Sequence, residues 1–369
     1  MKNWKIFQGH KSDETPEERL KRLPPPPPWR RFSQDSHQNQ AGKKRGFTFQ
    51  IALEENGERI VDLVNAALYL RRPLLVTGKP GTGKSSLAYA VADELNLGEV
   101  LKWPITTRTT LKDGLYYYDA IARLQEVQRQ KFLLETIEDP EEKKKQKDLL
   151  FNSQEIGRYI KLGPLGTALL PSEYPRVLLI DEIDKSDMDL PNDLLHIFEE
   201  GEFSIPELER IAEHITDREK TISVRTAYKD EKDSHFPSNK FFDIKEGRIQ
   251  CTSFPFVILT SNGEREFPPA FLRRCLRLDM PEPDEQQLER IVTAHLVDTL
   301  TSKEHQKKIQ NTTKSYLETF MNKRGEGDLA TDQFLNLIYL FTREYAPTEE
   351  KEKNNLIEQL LKYLNETED

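Results

Sequence analysis

An α/β fold built on a parallel sheet, followed by a smaller helical domain, is what the sequence predicts from three observations. The apolar run RPLLVTG ends in a glycine-rich turn and leads into the helical segment SSLAYAVADELNL, the order of a βαβ unit. Two further apolar runs, RVLLIDEIDKS and FPFVILTSN, read as fully buried strands that end on polar residues. Beyond PEPDEQQ the pattern is helical to the end, with LATDQFLNLIYLF and NNLIEQLLKYL as its clearest amphipathic segments.

Taken in order, the first 45 residues are polar and carry LPPPPPWRRF, a run that favours an extended polyproline helix rather than a core. They read as a flexible arm, which Trp29 and Phe32 could dock on a neighbouring surface. From Phe47 the chain becomes globular: ERIVDLVNAALYL has helical spacing, RPLLVTG is the first strand, and GEVLKWPIT near 98–106 is a second. A stretch at about 117–160, rich in Gln, Glu and Lys, reads as an inserted helical pair around Asp139-Pro140 and as a surface elaboration. RVLLIDEIDKS then leads into the helix LPNDLLHIFEEG. The pieces TISVRTA, FFDI and RIQCTS in a second insertion, about 203–250, read as hairpins projecting from the sheet. The expected units are therefore an arm over 1–45, an α/β domain over 46–282 and a helical domain over 283–369.

Composition narrows the function classes. The 369 residues allow about two domains. No uninterrupted apolar run is long enough to cross a bilayer, and MKNWKIFQGHKSDE lacks the apolar segment of a secretory signal, so a cytoplasmic location is expected. Cys251 and Cys275 are too few and too far apart for a disulfide framework or a zinc site. A net charge of -9, from 54 basic and 63 acidic side chains, argues against a nucleic-acid partner, although KKR at 43–45 and KKK at 143–145 form short basic runs.

The chemistry begins at Gly78-Lys79-Pro80-Gly81-Thr82-Gly83-Lys84-Ser85, which fits G-x-x-x-x-G-K-[ST] in full and is followed by Ser86. Glycines there let the backbone curl until its N–H groups converge on phosphate oxygens, and the next helix points its positive end at the same anion. Lys84 is placed to reach the β- and γ-phosphates of ATP, with the Ser85 hydroxyl in the Mg²⁺ shell. The fold expected is accordingly that of a P-loop NTPase, a parallel sheet sandwiched by helices, with a C-terminal α-helical lid. Asp181 and Glu182 close an apolar strand, where Asp181 suits a Mg²⁺ contact and Glu182 suits polarising the attacking water. Asp184 reads as a capping or salt-bridging residue. Asn262, at the end of another buried strand, suits positioning that water or sensing the γ-phosphate, and equally suits the turn with Gly263. Arg273 and Arg274 in FPPAFLRRC need anions nearby: either an ordinary salt bridge, or a neighbouring subunit's phosphates, where an arginine stabilises transition-state charge.

Together the phosphate loop, LLIDEID, LTSNGEREFPPAFLRRC and the helical tail resemble AAA+ ATPases, and within them the MoxR branch, whose opening VNAALYLRRPLLVTGKPGTGKSSLA and whose segment GPLGTALL also have counterparts. The resemblance covers residues 47–285 well and the tail loosely. It implies a ring-like homo-oligomer, a hexamer in this branch, with active sites between subunits, working with a von Willebrand A-domain partner to remodel a client protein. By position it makes Arg274 the arginine finger and Asn262 the first sensor, with Arg273 an additional arginine. The second sensor arginine of the family opens a helix in the small domain; ahead of LATDQFLNLIYLF this chain has only Lys323 and Arg324, several residues upstream. Two further readings stand beside the remodelling ATPase: an ATP-dependent switch or scaffold with slow turnover, and a nucleic-acid-dependent motor or restriction-type NTPase. Against the last stands the missing guanine-reading N-K-x-D element. Phe47 to Ile51 is where the adenine pocket is expected.

Overall fold

The computed structural model describes residues 55–136, 153–212, 221–228, 240–297 and 302–364 except 345 and 348, together with Phe49, Glu141 and a few N-terminal positions that include 23–28. Trp29, Phe32, the basic runs at 43–45 and 143–145 and the second helix expected around Asp139-Pro140 lie outside the described residues.

The chain runs α1 (Glu55–Leu70), β1 (Leu74–Thr77), α2 (Lys84–Glu94), β2 (Leu101–Pro104), α3 (Leu111–Leu115), β3 (Tyr116–Tyr118) and α4 (Ala120–Thr136). A 3₁₀ turn (Ser153–Tyr159) leads to β4 (Ile160–Leu162), α5 (Pro164–Ala168), β5 (Val177–Asp181), α6 (Asp189–Glu200), β6 (Glu202–Ser204) and α7 (Pro206–Ala212). Then come β7 (Thr221–Arg225), β8 (Phe241–Lys245), β9 (Arg248–Gln250), β10 (Phe256–Ser261), α8 (Pro269–Arg274) and β11 (Leu276–Asp279). Four helices follow: α9 (Glu285–Leu296), α10 (Lys303–Glu326), α11 (Thr331–Phe341) and α12 (Glu350–Leu360).

The central sheet has five strands in the order β11-β1-β10-β5-β2, all parallel. Strand alternation sends neighbouring side chains to opposite faces. Leu74, Val76, Leu179 and Ile258 therefore pack under α1 and α2, while Leu75, Leu178, Ile180, Val257 and Leu259 enter the core on the other side. Every residue of β10 is buried, as a strand covered on both faces must be. Parallel strands also place all their carboxyl ends on one edge, where ligands bind in open α/β sheets. Thr77, Asp181 and Ser261 end β1, β5 and β10 on that edge.

The two insertions differ from the expected surface elaborations. β3 and β4 from the first join β7 and β8 from the second in one sheet of order β3-β4-β7-β8. Ile160, Leu162, Ile222, Val224 and Ile244 of this sheet share a core with Leu178 and Leu259 of the central sheet. The three strand-like pieces of the second insertion are strands, but they do not project: β7 pairs with β4, and β9 pairs with β6. Apolar residues that alternate along these strands require a covered face.

The C-terminal helices enclose their own cluster, with Leu288, Ile309, Phe320, Phe334, Leu337 and Ile338 nearly or fully inaccessible to solvent. Among the described residues no helix is long and apolar enough to cross a membrane. Burial raises the thiol pKa of Cys251 and pushes that of Cys275 up to about 12, so neither sulfur is activated as a thiolate.

Candidate nucleotide site

The segment Gly78–Gly83 leaves β1 and turns into α2 with Gly78, Gly81 and Gly83 all at positive φ, the region that L side chains avoid. Space reinforces conformation at Gly81, where a Cβ would stand 2.8 Å from the Thr331 amide nitrogen. Gly83 precedes α2 without a capping side chain, so the Lys84 and Ser85 N–H groups that open the helix have no side-chain cap, while the Ser86 amide donates to the Gly83 carbonyl at 2.9 Å. Pro80 is exposed at the tip, Thr82 Oγ1 donates to the Lys79 carbonyl at 2.9 Å, and Ser86 follows in the first turn.

Lys84 is 7% exposed. Its ammonium donates to the carbonyls of Gly78 at 2.6 Å and Lys79 at 2.8 Å. An ammonium carries three donors, so one remains for an incoming anion. Burial lowers the Lys84 pKa, and the carboxylates of Asp184, Asp181 and Glu182 work against that shift. The result is a cation held by two peptide carbonyls and near three acids, with a donor that an anionic ligand would complete.

Asp181 is the meeting point of four elements. Its Oδ1 accepts from Ser85 Oγ on α2 at 2.6 Å and from Thr260 Oγ1 on β10 at 2.8 Å. Its Oδ2 lies 2.6 Å from Lys102 Nζ on β2. Burial raises the Asp181 pKa, but the bonds from Lys102, Ser85 and Thr260 outweigh it and hold the carboxyl below its ordinary value. Glu182 follows in the left-handed region, φ 63 and ψ 51, a conformation costing a non-glycine residue about 1–2 kcal/mol. Its amide donates to Thr260 Oγ1 at 2.9 Å, and its carboxylate pairs with Lys185 at 2.7 Å. Thr260 thus fixes both acids of the strand end.

Asp184 is 5% exposed and anchors the next loop. Its Oδ2 accepts from the backbone amides of Asn262 at 2.8 Å and Glu264 at 3.3 Å. Asn262 is therefore set beside the two strand-end acids by its backbone. Replacing Asp184 with alanine would strip two part-buried amides of their acceptor, at a cost of about 1–3 kcal/mol. The expected result is a fall in melting temperature of roughly 2–10 °C, read by calorimetry.

The helical unit reaches the loop directly. Lys79 Nζ pairs with Glu282 at 2.7 Å and with Asp328 at 2.9 Å, and those hydrogen bonds raise its pKa. Lys79 thus lends the loop its backbone while its side chain faces the lid. Arg324 lies 3.4 Å from the same Glu282 and donates to the Pro283 carbonyl at 2.8 Å. Lys323, one residue earlier, has its carbonyl engaged by the Gly327 amide at 3.1 Å. α11 opens on Thr331-Asp332-Gln333 without an arginine. Phe49, the described member of the segment expected near the base, is half-buried with its ring 3.2 Å from where a Gly83 Cβ would stand.

Arg273 and Arg274 stand at the opposite edge of the sheet, just before β11, where the Leu276 amide donates to the Pro73 carbonyl at 2.8 Å. The length of β1, roughly 13 Å for its four residues, separates them from the phosphate loop. Arg72 donates to both of their carbonyls, and the Arg274 guanidinium pairs with Glu199 of α6, while Arg273 is exposed. The fold thus gathers residues 78–86, Asp181, Glu182 and Asn262 at one edge and leaves this arginine pair at the other. Lys102 and Thr260 went unnoticed in the sequence. A buried threonine closing the apolar run FVILTS was a readable signal for Thr260; nothing local marked Lys102.

Among solved structures, one similar in arrangement is NtrX from Brucella abortus in complex with ADP, at 13% identity, with a TM-score of 0.36 over 88% of this chain. The match spans 57% of that protein's length. A search of curated proteins finds no match. The family model described as AAA domain (dynein-related subfamily) matches residues 73–275, which run from the start of β1 through the phosphate loop, both strand-end acids and the arginine pair. The chain belongs to this family of AAA domains.

Proposed function

We propose that this protein is an ATPase of the MoxR type that binds ATP with Mg²⁺ at sites between subunits of a ring, hexameric by resemblance, and uses its hydrolysis to remodel or activate a partner protein. The observation that carries the reading is the convergence on one sheet edge of a buried, carbonyl-held Lys84 with Ser85, Asp181 and Glu182. In this reading residues 78–86 cradle the triphosphate. Glu182 accepts a proton from the attacking water, and Asn262 orients that water. A client and a von Willebrand A-domain partner belong to the same proposal.

The donor chemistry fits magnesium. Ser85 and Asp181 offer hard oxygen ligands 2.6 Å apart, and among the described residues no cluster of three or more His, Cys, Asp or Glu builds an all-protein cage. Mg²⁺ of this kind is shared with substrate phosphates and supplies charge neutralisation between their oxygens. Phe49, against the end of the loop, is the aromatic surface proposed for the base.

Arg274 is proposed to act on the neighbouring subunit's nucleotide, which accords with its distance from the loop of its own chain. Its partner Glu199 is nearly half exposed, so the pair is worth at most about 1 kcal/mol and is readily exchanged for a phosphate. Arg274→Ala is expected to slow turnover by roughly 10³-fold or more. Mixing with Lys84→Ala subunits should restore part of it, because each variant supplies what the other lacks. Mixtures that stay inactive at every ratio would contradict an active site shared between subunits.

Two ion pairs favour a second reading, a slow nucleotide switch. Lys102 occupies Asp181, and Lys185 occupies Glu182. Turnover measured against protein concentration, with particle mass in ATP and in ADP, separates the two. The remodelling ATPase speeds up as it assembles. A switch turns over slowly at all concentrations, and full-speed hydrolysis by a strict monomer would exclude the shared site altogether.

A further inference from the structure

Tyr339 stands on α11 with its ring buried in the core of the helical unit. A buried tyrosine hydroxyl needs a hydrogen-bond partner. This one donates to the carbonyl of Pro25, more than three hundred residues earlier in the chain, the residues in sequence being 314 apart. Proline has no N–H, and a polyproline helix has no internal hydrogen bonds, so its carbonyls are open to any donor that meets them.

The burial pattern of the proline run agrees with a polyproline helix lying along a surface. Such a helix repeats every three residues. Pro24 and Pro27 are half-buried while Pro25 and Pro26 between them are exposed, and Pro28 is half-buried where the run ends. The receiving face is built rather than incidental. The Arg343 guanidinium lies 3.8 Å from the centre of the Tyr339 ring, a cation–π contact that holds the ring from one side. Lys308 Nζ on α10 donates to the Arg343 carbonyl at 3.1 Å and ties that end of α11 to its neighbour.

We propose that the helical unit carries a polyproline-binding site centred on Tyr339 and Arg343, and that the chain fills it with its own residues 24–28. Aromatic rings with a hydrogen-bond donor are the general means of recognising this conformation, because the ligand is already extended and loses little entropy on docking. The site lies on the helix whose first residue, Thr331, abuts the phosphate loop at Gly81. About eight residues of helix, roughly 12 Å, separate the two contacts.

The test uses a fluorescein-labelled peptide of residues 20–28, LKRLPPPPP, and fluorescence anisotropy with the full chain. In wild type the tethered arm competes at an effective concentration that reaches the millimolar range for short linkers. A full chain with Pro24→Ser, Pro25→Ser, Pro26→Ser, Pro27→Ser and Pro28→Ser should therefore bind the peptide at least about tenfold more tightly. Adding Tyr339→Phe, which keeps the ring and removes the donor, should weaken that binding about fivefold. Equal peptide affinity in wild type and the serine-substituted chain, no binding to the latter, or indifference to Tyr339→Phe would each overturn the proposal.

Discussion

Lys84→Ala is expected to raise the dissociation constant for ATP by about 10- to 100-fold, the loss of the charge-assisted hydrogen bond that its one remaining donor makes to phosphate in a buried site. The wild-type ammonium is already stripped of water and braced by the carbonyls of Gly78 and Lys79, so it meets phosphate with little further desolvation. Alanine leaves both the anion and those carbonyls without their donor. Isothermal titration with ATP and Mg²⁺ measures this directly, and unchanged affinity would remove Lys84 from the phosphate site. Folding should survive, since the loop glycines and the α2 core residues Leu87, Ala88 and Val91 are untouched.

Glu182→Gln is expected to have the second large effect, a fall in kcat of roughly 10²–10⁴ with ATP binding retained. Glutamine preserves the length of the side chain and the backbone geometry that Thr260 secures through the Glu182 amide. What it removes is the proton acceptor. Single-turnover hydrolysis, measured beside equilibrium binding, separates the two quantities. Equal loss of both would mean that Glu182 shapes the cradle rather than the chemistry.

How much of this was legible follows from how local each signal is. TGKPGTGKSS could be read because three glycines and a proline interrupt helix and strand alike, and the backbone does place all three glycines at positive φ. The strands that end on Asp181 and Ser261 were equally plain, since a strand covered on both faces is almost wholly apolar. The second sheet was not. Tyr116–Tyr118 and Ile160–Leu162 are three residues each, too short for periodicity to distinguish from loop, and β4 meets β7 only through tertiary pairing. Lys102 was invisible for a related reason. Its strand alternates buried and exposed residues, so the lysine reads as a solvent-facing position, and only the register that pairs Lys102 with Leu179 and Pro104 with Asp181 brings its amine to the acid. The roles of Arg324 and Lys323 could not be decided locally either, because Arg324 is engaged by a glutamate in the connection between the two units.

The contact of Lys79 with Glu282 and Asp328 makes the helical unit a mechanical neighbour of the glycine-rich loop. Its lysine and acids are part-exposed, so dissolved salt weakens the attraction while leaving the close steric fit of Gly81 against Thr331 intact. The boundary therefore joins a salt-sensitive catch to a salt-insensitive stop, and raised ionic strength is expected to loosen the first without touching the second.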